Sequence, residues 1–270
     1  MPVELPPISA IEAYERYIVR SLFRPWTEDL IARIDRIAAT RILDLACGTG
    51  IVTRMLAPRA PGNAAFTGLD ISPGMLAKAE ALTDDLEVPI EWQEGCATCM
   101  PFPDEAFELI LCQQGLQFFP DHYAGLKEIQ RVLVPGGRAV ISVWGPLEHN
   151  PFYGVIDELV SAHLAEGALA APFSLSDSDQ LRDLTTSAGL KVASLESVGL
   201  EIHAAEPHYF AAMCLRGATA VLREFAALTQ AARKEVLEQM HTAMEKALRR
   251  FQKNDELVFR TTANVLTVTH

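Results

Sequence analysis

Residues 41–50 read RILDLACGTG. A short apolar run that ends in Gly-x-Gly predicts a buried strand turning tightly into the N-terminus of a helix, here GIVTRMLA from Gly50. Turns of this kind commonly receive a phosphate. Yet a carboxylate, Asp44, stands just ahead of Gly48 and Gly50. A phosphate arriving there would meet a negative charge, so the stretch raises the question of what binds instead.

Working outward, short apolar runs alternate with helical patterns. AAFTGLD is the second strand and SPGMLAKAEAL its helix, with Ser72 as N-cap and Pro73 at the first helical position. IEWQEG is the third strand. FELILCQ is the fourth, followed by the helix DHYAGLKEIQRVL, and GGRAVISVW is the fifth. Near-continuous apolar strands separated by helices indicate a parallel sheet covered on both faces, and right-handed crossovers make it doubly wound. Upstream, Ile11 to Ile37 carries two successive helical stretches, the second with Pro25 in its first turn.

The expected organisation is therefore helices over 1–40, a ligand-binding core over 41–150 and a helical segment over 151–188. A core strand over 189–204, a helical lid insertion over 205–252 and a final strand over 253–270 complete it. The lid reading rests on late helices richer in Ala, Leu, Met and Phe than a surface helix needs. An Ala-rich turn at 165–171 is the nearest approach to a linker.

With 270 residues, 49 % of them hydrophobic and 21 % charged, the chain has material for a sizeable core. Its formal net charge of -12 comes from 35 acidic against 23 basic residues, a balance that repels polyanions and argues against nucleic acid as partner. The first residues lack a basic stretch followed by an apolar one, and no apolar run reaches the length of a membrane span, so a cytoplasmic protein is expected. Five scattered cysteines fit reduced thiols. Cys96 and Cys99 form a C-x-x-C with no second pair, which is read as a chance spacing, and no metal is expected. Homo-oligomerisation is left open.

In an open parallel sheet, ligands bind where the strand order reverses, at the carboxyl ends of the strands. The second strand ends there on Asp70, a carboxylate able to accept both hydroxyls of a ribose. With the glycines it indicates an adenosine-bearing cofactor, either a nicotinamide dinucleotide or S-adenosylmethionine. A dinucleotide brings a pyrophosphate and asks for a third glycine where this chain has Thr53. S-adenosylmethionine brings an ammonium and a sulfonium, which a nearby Asp44 favours. The turn suits a cation.

These residues make the chain resemble the class I S-adenosylmethionine-dependent methyltransferases, in the small-molecule group that includes ubiquinone/menaquinone C-methyltransferases. LDLACGTG matches that family's first motif and GLDISPGMLAKAE its second. MPFPDEAFELILCQQGLQFFPD and LKEIQRVLVPGGRAVISVW match the motifs of the fourth and fifth strands. The resemblance, spanning about residues 12–150, implies a Rossmann-like, mainly parallel seven-stranded sheet whose last strand is antiparallel. It also implies S-adenosyl-L-methionine as cofactor, with S-adenosyl-L-homocysteine as product. Asp44, Ala46, Gly48, Gly50, Asp70, Ile71, Met75, Cys96, Ala97 and Gln113 fall at cofactor-binding positions. Cys96 departs from the pattern, standing where the family often has an aspartate for the adenine amino group, and a thiol is a weak hydrogen-bonding group.

The sulfonium already activates the methyl group, so alignment and exclusion of water are what the protein must supply. A small, partly apolar acceptor is expected, methylated at oxygen, with carbon and nitrogen open. Tyr14, Gln114, Phe118, Trp144, His149, Phe152 and Tyr209 are the candidate pocket residues. His149 has the chemistry of a base for a hydroxyl proton, against which stands the plainer reading of a surface loop histidine. Two other readings stand beside this one: a protein that binds the cofactor without transferring methyl, and a nicotinamide-dependent oxidoreductase.

Overall fold

The computed structural model describes residues 8–34, 38–164, 166–167, 169–220 and 222–270. The helical reach expected to Ile37 and the Ala-rich turn at 165–171 therefore fall partly outside the described residues. The chain divides into two compact units, residues 24–145, 174–198 and 263–270 in one, and residues up to 23, 146–173 and 199–262 in the other.

The first unit is built on strands β1 (Arg41–Leu45), β2 (Ala65–Asp70), β3 (Ile90–Glu94), β4 (Phe107–Gln113) and β5 (Leu133–Trp144). These pair in parallel, while β5 pairs antiparallel with the last strand, from Arg138↔Thr269 to Trp144↔Ala263. With β6 (Lys191–Ala205), the two-residue β7 (Gln252–Lys253) and β8 (Glu256–Thr269), the order is β3-β2-β1-β4-β5-β8-β6, with β7 attached to β8. The expected seven strands and their antiparallel last member are thus present, plus one short hairpin strand. The order runs outward from β1 to β3, then returns to β4 on the far side of β1. That reversal puts the switch point between β1 and β4.

Helices α1 (Ala10–Ala13) and α2 (Arg24–Ala32) flank a π-helical stretch, Tyr14–Phe23, where the sequence suggested a break between two helices. Pro25 lacks the N–H that an α-helical ladder needs one turn upstream, and wider hydrogen bonding there keeps the run continuous. On the sheet, α3 (Ile51–Leu56) and α4 (Pro73–Ala81) follow β1 and β2, α5 (His122–Val132) follows β4 and α7 (Ser178–Ser187) precedes β6. One face of the sheet buries Leu43, Leu45, Ile110, Cys112, Ile141 and Val143 with Leu126 and Ile129 of α5 and Leu181 of α7. On α2, Trp26 meets Trp144 edge-on, ring centroids 5.9 Å apart.

Two details set the local geometry around β2 and β3. Trp92 of β3 lies over Gly68 of β2, so that a Cβ at Gly68 would sit 2.2 Å from Trp92 Cζ3 and 3.1 Å from Cys47 Sγ. Gly68→Ala should therefore cost about 1–3 kcal/mol through overpacking. Urea unfolding followed by tryptophan fluorescence measures it, and an unchanged midpoint would contradict this packing. The loop after β3 is held by Arg131, whose guanidinium donates to Glu128 (2.7 and 2.8 Å), to the Phe102 (2.7 Å) and Met100 (3.1 Å) carbonyls and to Asp104 (2.9 Å).

In the second unit α6 (Pro151–His163), α8 (Pro207–Ala220), α9 (Arg223–Ala227) and α10 (Gln230–Leu248) accompany α1 and the π-helical stretch. Its core is aromatic: Phe152 stacks on Phe259 at 4.4 Å and meets Phe210 at 5.4 Å. Asn150, fully buried, donates to Pro146 O (2.9 Å) and Thr262 Oγ1 (3.0 Å) and accepts from Thr262 N–H (2.9 Å), tying the start of α6 to β8.

Candidate cofactor and acceptor site

At the end of β1 the backbone turns sharply: Ala46, Gly48 and Gly50 have φ of 55°, 54° and 76°. Gly50 has no room for a side chain, since a Cβ would lie 2.6 Å from Trp92. Gly48 differs, because nothing lies within 4 Å of where its Cβ would be. Its glycine serves the left-handed turn, and the space above its backbone is open to a ligand.

Asp44 and Asp70 frame this turn in different ways. Asp70, at the end of β2, accepts from Gly48 N–H through Oδ2 at 2.8 Å and from Ser72 N–H through Oδ1 at 2.9 Å. Each oxygen keeps a lone pair for a further donor. Asp44 is buried, with Oδ2 accepting from Thr53 N–H at 3.0 Å and from Thr53 Oγ1 at 2.8 Å. Thr53 stands where a dinucleotide site asks for its third glycine, and here it is the partner of the carboxylate. Sequence reading counted Thr53 only as a missing glycine; its spacing of nine from Asp44, one turn into α3, was the available signal.

Burial pushes the Asp44 carboxyl up to about 6, the charge of Asp70 acting in the same direction, while the Thr53 hydrogen bonds and Arg54 pull it down. The folded value lies above the unfolded one, near 3.8. The native state therefore holds this proton more tightly, and the resulting stabilisation is complete below about pH 4 and lost as pH rises through about 6. Asp44→Asn should flatten that fall, which amounts to up to about 3 kcal/mol. Denaturant titrations of both proteins at acid and neutral pH provide the check; parallel profiles would contradict it.

Along the edge of the turn, Ile71 is 71 % exposed and Met75 partly buried, a pattern suited to gripping a flat apolar ring. Cys96 Sγ lies 3.1 Å from Thr98 Oγ1. Sequence reading missed Thr98, a hydroxyl two residues beyond the departing cysteine. After β4, Gln113 ends the strand and Gln114 adopts φ of 54°, with its N–H donating to Ser142 O at 2.9 Å. Gly115 permits this close approach, a Cβ there meeting Ala46 Cβ at 2.7 Å. Gln117 Nε2 donates to Gln114 Oε1 at 3.0 Å. Gln114 Nε2, Gln117 Oε1 and Ser142 Oγ are buried without a hydrogen-bond partner among the described residues. Gln114 and Gln117 follow β4 and Ser142 lies on the neighbouring β5; of the three the sequence pointed to Gln114 alone. Phe118 stands 55 % exposed beside them.

The first unit thus holds every expected cofactor residue, together with Gln114, Phe118 and Trp144. Trp144 is buried against Trp26. Tyr14, His149, Phe152 and Tyr209 belong to the second unit. There Tyr14 packs on Phe23 with ring centroids 5.9 Å apart, and Tyr209 stacks on Tyr17 at 5.1 Å. Phe152, only 1 % exposed, is a core side chain of the aromatic cluster. His149 is exposed at the end of a 3-10 turn, Leu147–His149. Among the described residues no three His, Cys, Asp or Glu side chains are grouped to hold a metal ion, and no helix is long and apolar enough to cross a membrane.

Residues 42–137 match the methyltransferase domain family. A demethylmenaquinone methyltransferase of Thermus thermophilus is 42 % identical over 115 residues, covering 43 % of this chain and 52 % of that protein. A ubiquinone/menaquinone biosynthesis C-methyltransferase of Geotalea daltonii is 37 % identical over 120 residues, covering 44 % and 51 %. The chain spans about half the length of these curated relatives. Among solved structures, a protein of Bacillus halodurans described as a candidate methyltransferase has a TM-score of 0.57 at 17 % identity, covering 90 % of this chain and 97 % of its own. The [4+2]-cyclase SpnF has a TM-score of 0.55 at 19 % identity, covering 91 % and 80 %.

Proposed function

We propose that this chain, which has the class I S-adenosylmethionine-dependent methyltransferase fold and resembles quinone C-methyltransferases, transfers a methyl group from S-adenosyl-L-methionine to a small, partly apolar acceptor. One observation carries the reading: the glycine turn is framed by two carboxylates, with Asp44 locked onto Thr53 where a pyrophosphate site would have a glycine. That surrounding repels a phosphate and favours a cation. It speaks against the nicotinamide-dependent alternative.

In this reading Asp70 accepts the ribose hydroxyls on the lone pairs that Gly48 and Ser72 leave, and Ile71 and Met75 sandwich the adenine. Cys96 and Ala97 lie along the adenine edge. The open backbone at Gly48 and the charge of Asp44, ionised above about pH 6, receive the cationic end together with Ala46, Gly50 and Gln113. The bound cofactor supplies an electrophilic methyl group, and the protein supplies alignment. Gln114, with Gln117 behind it, orients a polar substituent of the acceptor, and Phe118 offers an apolar surface to its ring. The names of the relatives favour carbon over the oxygen expected from the sequence. Carbon methylation asks for an electron-rich ring such as a hydroquinone.

The alternative stays in view, a chain that binds the cofactor without transferring methyl; a [4+2]-cyclase shares this fold. Incubation with methyl-labelled cofactor and a panel of hydroquinones, phenols, carboxylic acids and amines separates the two. Label in a hydroquinone ring carbon is the expected result. Cofactor binding with no label in any acceptor would favour the alternative.

A further inference from the structure

The C-x-x-C that looks like a chance spacing in the sequence is brought into register by the fold. Immediately after β3 the chain makes a two-residue hairpin in which Cys96 and Cys99 face each other as an antiparallel bridge, with Cys99 N–H donating to Cys96 O at 3.1 Å. Residues opposed in this way have Cα atoms about 5.5 Å apart. That lies within the ~4.4–6.8 Å over which a disulfide closes without moving the backbone. The hairpin is also anchored at both ends. Gly95 N–H donates to Asp70 O at 3.0 Å, and beyond Cys99 the Met100 N–H donates to Glu128 Oε2 at 2.6 Å. Neither cysteine has to search for the other.

The surroundings favour the attacking form of Cys96. The Thr98 hydroxyl at 3.1 Å, then the Thr98 and Cys99 N–H groups, face its sulfur and hold the thiol below its ordinary value. Thiolate is the nucleophile in disulfide exchange. Burial does the opposite elsewhere, pushing Cys47, Cys112 and Cys214 up, Cys112 to about 12. In access, Cys99 is exposed, Cys96 and Cys214 are half-buried, and Cys47 and Cys112 are buried.

We propose that Cys96 and Cys99 form a thiol–disulfide exchange site for low-molecular-weight disulfides such as oxidised glutathione, and that closing it obstructs the adenine edge of the cofactor site. The Cys96 thiolate attacks one sulfur of the small disulfide, whose S–S bond breaks, and the departing thiolate takes up a proton. Cys99 then gives up its proton and attacks the Cys96 sulfur, expelling the second small thiol. Two protein thiols are oxidised to one disulfide, and the small disulfide is reduced to two thiols. The new bond draws Cys96 Sγ from Thr98 and lays it across the turn. The effect on the cofactor rests on the functional reading above; the exchange chemistry does not.

The test uses the full chain, incubated over a series of oxidised to reduced glutathione ratios and followed by intact mass and peptide mapping. Each form is then titrated calorimetrically with S-adenosylmethionine. A Cys96–Cys99 disulfide as the main product is expected, with Cys99→Ser stopping at a glutathione adduct on Cys96. The oxidised protein should bind the cofactor at least about ten-fold more weakly, with recovery on adding dithiothreitol. Disulfides spread over the other cysteines, or a first adduct on Cys99 in the unsubstituted chain, would overturn the exchange site. An oxidised protein of unchanged affinity would overturn the obstruction. If the reduced protein binds no cofactor, the functional reading fails, and the peptide map still judges the exchange site.

Discussion

Replacing Asp70 by alanine is expected to weaken S-adenosylmethionine binding by about ten-fold or more, the loss of charge-assisted hydrogen bonds worth about 1.5–3 kcal/mol each. The same carboxylate braces Gly48 and Ser72 through backbone N–H groups, so an effect through the turn has to be separated from an effect through the ribose. A cofactor analogue lacking the ribose hydroxyls makes the separation. It should bind the original protein and Asp70→Ala with similar affinity if Asp70 acts on the ribose. A variant that binds the natural cofactor as tightly as the original protein would remove Asp70 from the site.

The second large effect concerns stability. Arg131 and Glu128 together grip both backbone groups of Met100, since Arg131 donates to its carbonyl and Glu128 accepts from its N–H. The pair is mostly buried, its side chains 29 % and 17 % exposed, and Arg131 is the first cause holding the Glu128 carboxyl below its ordinary value. Arg131→Met keeps the apolar stem but strands Glu128 and two carbonyls, which should cost about 3 kcal/mol. The contact with Asp104, itself largely exposed, adds little. Because Glu128 is depressed in the folded state, its contribution is present above its unfolded value and lost as pH falls through its folded value. Denaturant unfolding of Arg131→Met should show the full loss near neutral pH and a smaller one in acid. Equal losses at both would show that packing, rather than the ion pair, is what the arginine provides.

Much of this architecture is legible in the sequence because it rests on local signals. The strand ending on Gln113 coincides with the apolar run FELILCQ, and Ser72 caps α4 with its hydroxyl 3.4 Å from Met75 N. Gly48 and Gly50 mark positive φ where glycine is the cheapest residue. Features built from distant residues are not legible in this way. Nothing in the sequence joins Gly68 to Trp92, or Arg131 to the carbonyls of Phe102 and Met100, since only the sheet register and the path of one loop bring them together. Trp144 and Phe152 show the limit from the other side. An aromatic residue near an expected site mouth and one in a core look alike in sequence, and both of these are buried. The cysteine pair shows it again, because a spacing of three becomes meaningful only once the hairpin sets the two residues face to face.

The central claim is that the turn at residues 46–50 accepts a cationic adenosyl cofactor and refuses a dinucleotide. Calorimetric titration of the reduced protein with S-adenosylmethionine, S-adenosylhomocysteine and NAD tests it most directly. Saturable binding of the first two with no heat from NAD is the predicted result. Binding of NAD alone would contradict the account at its root, the pairing of Asp44 with Thr53.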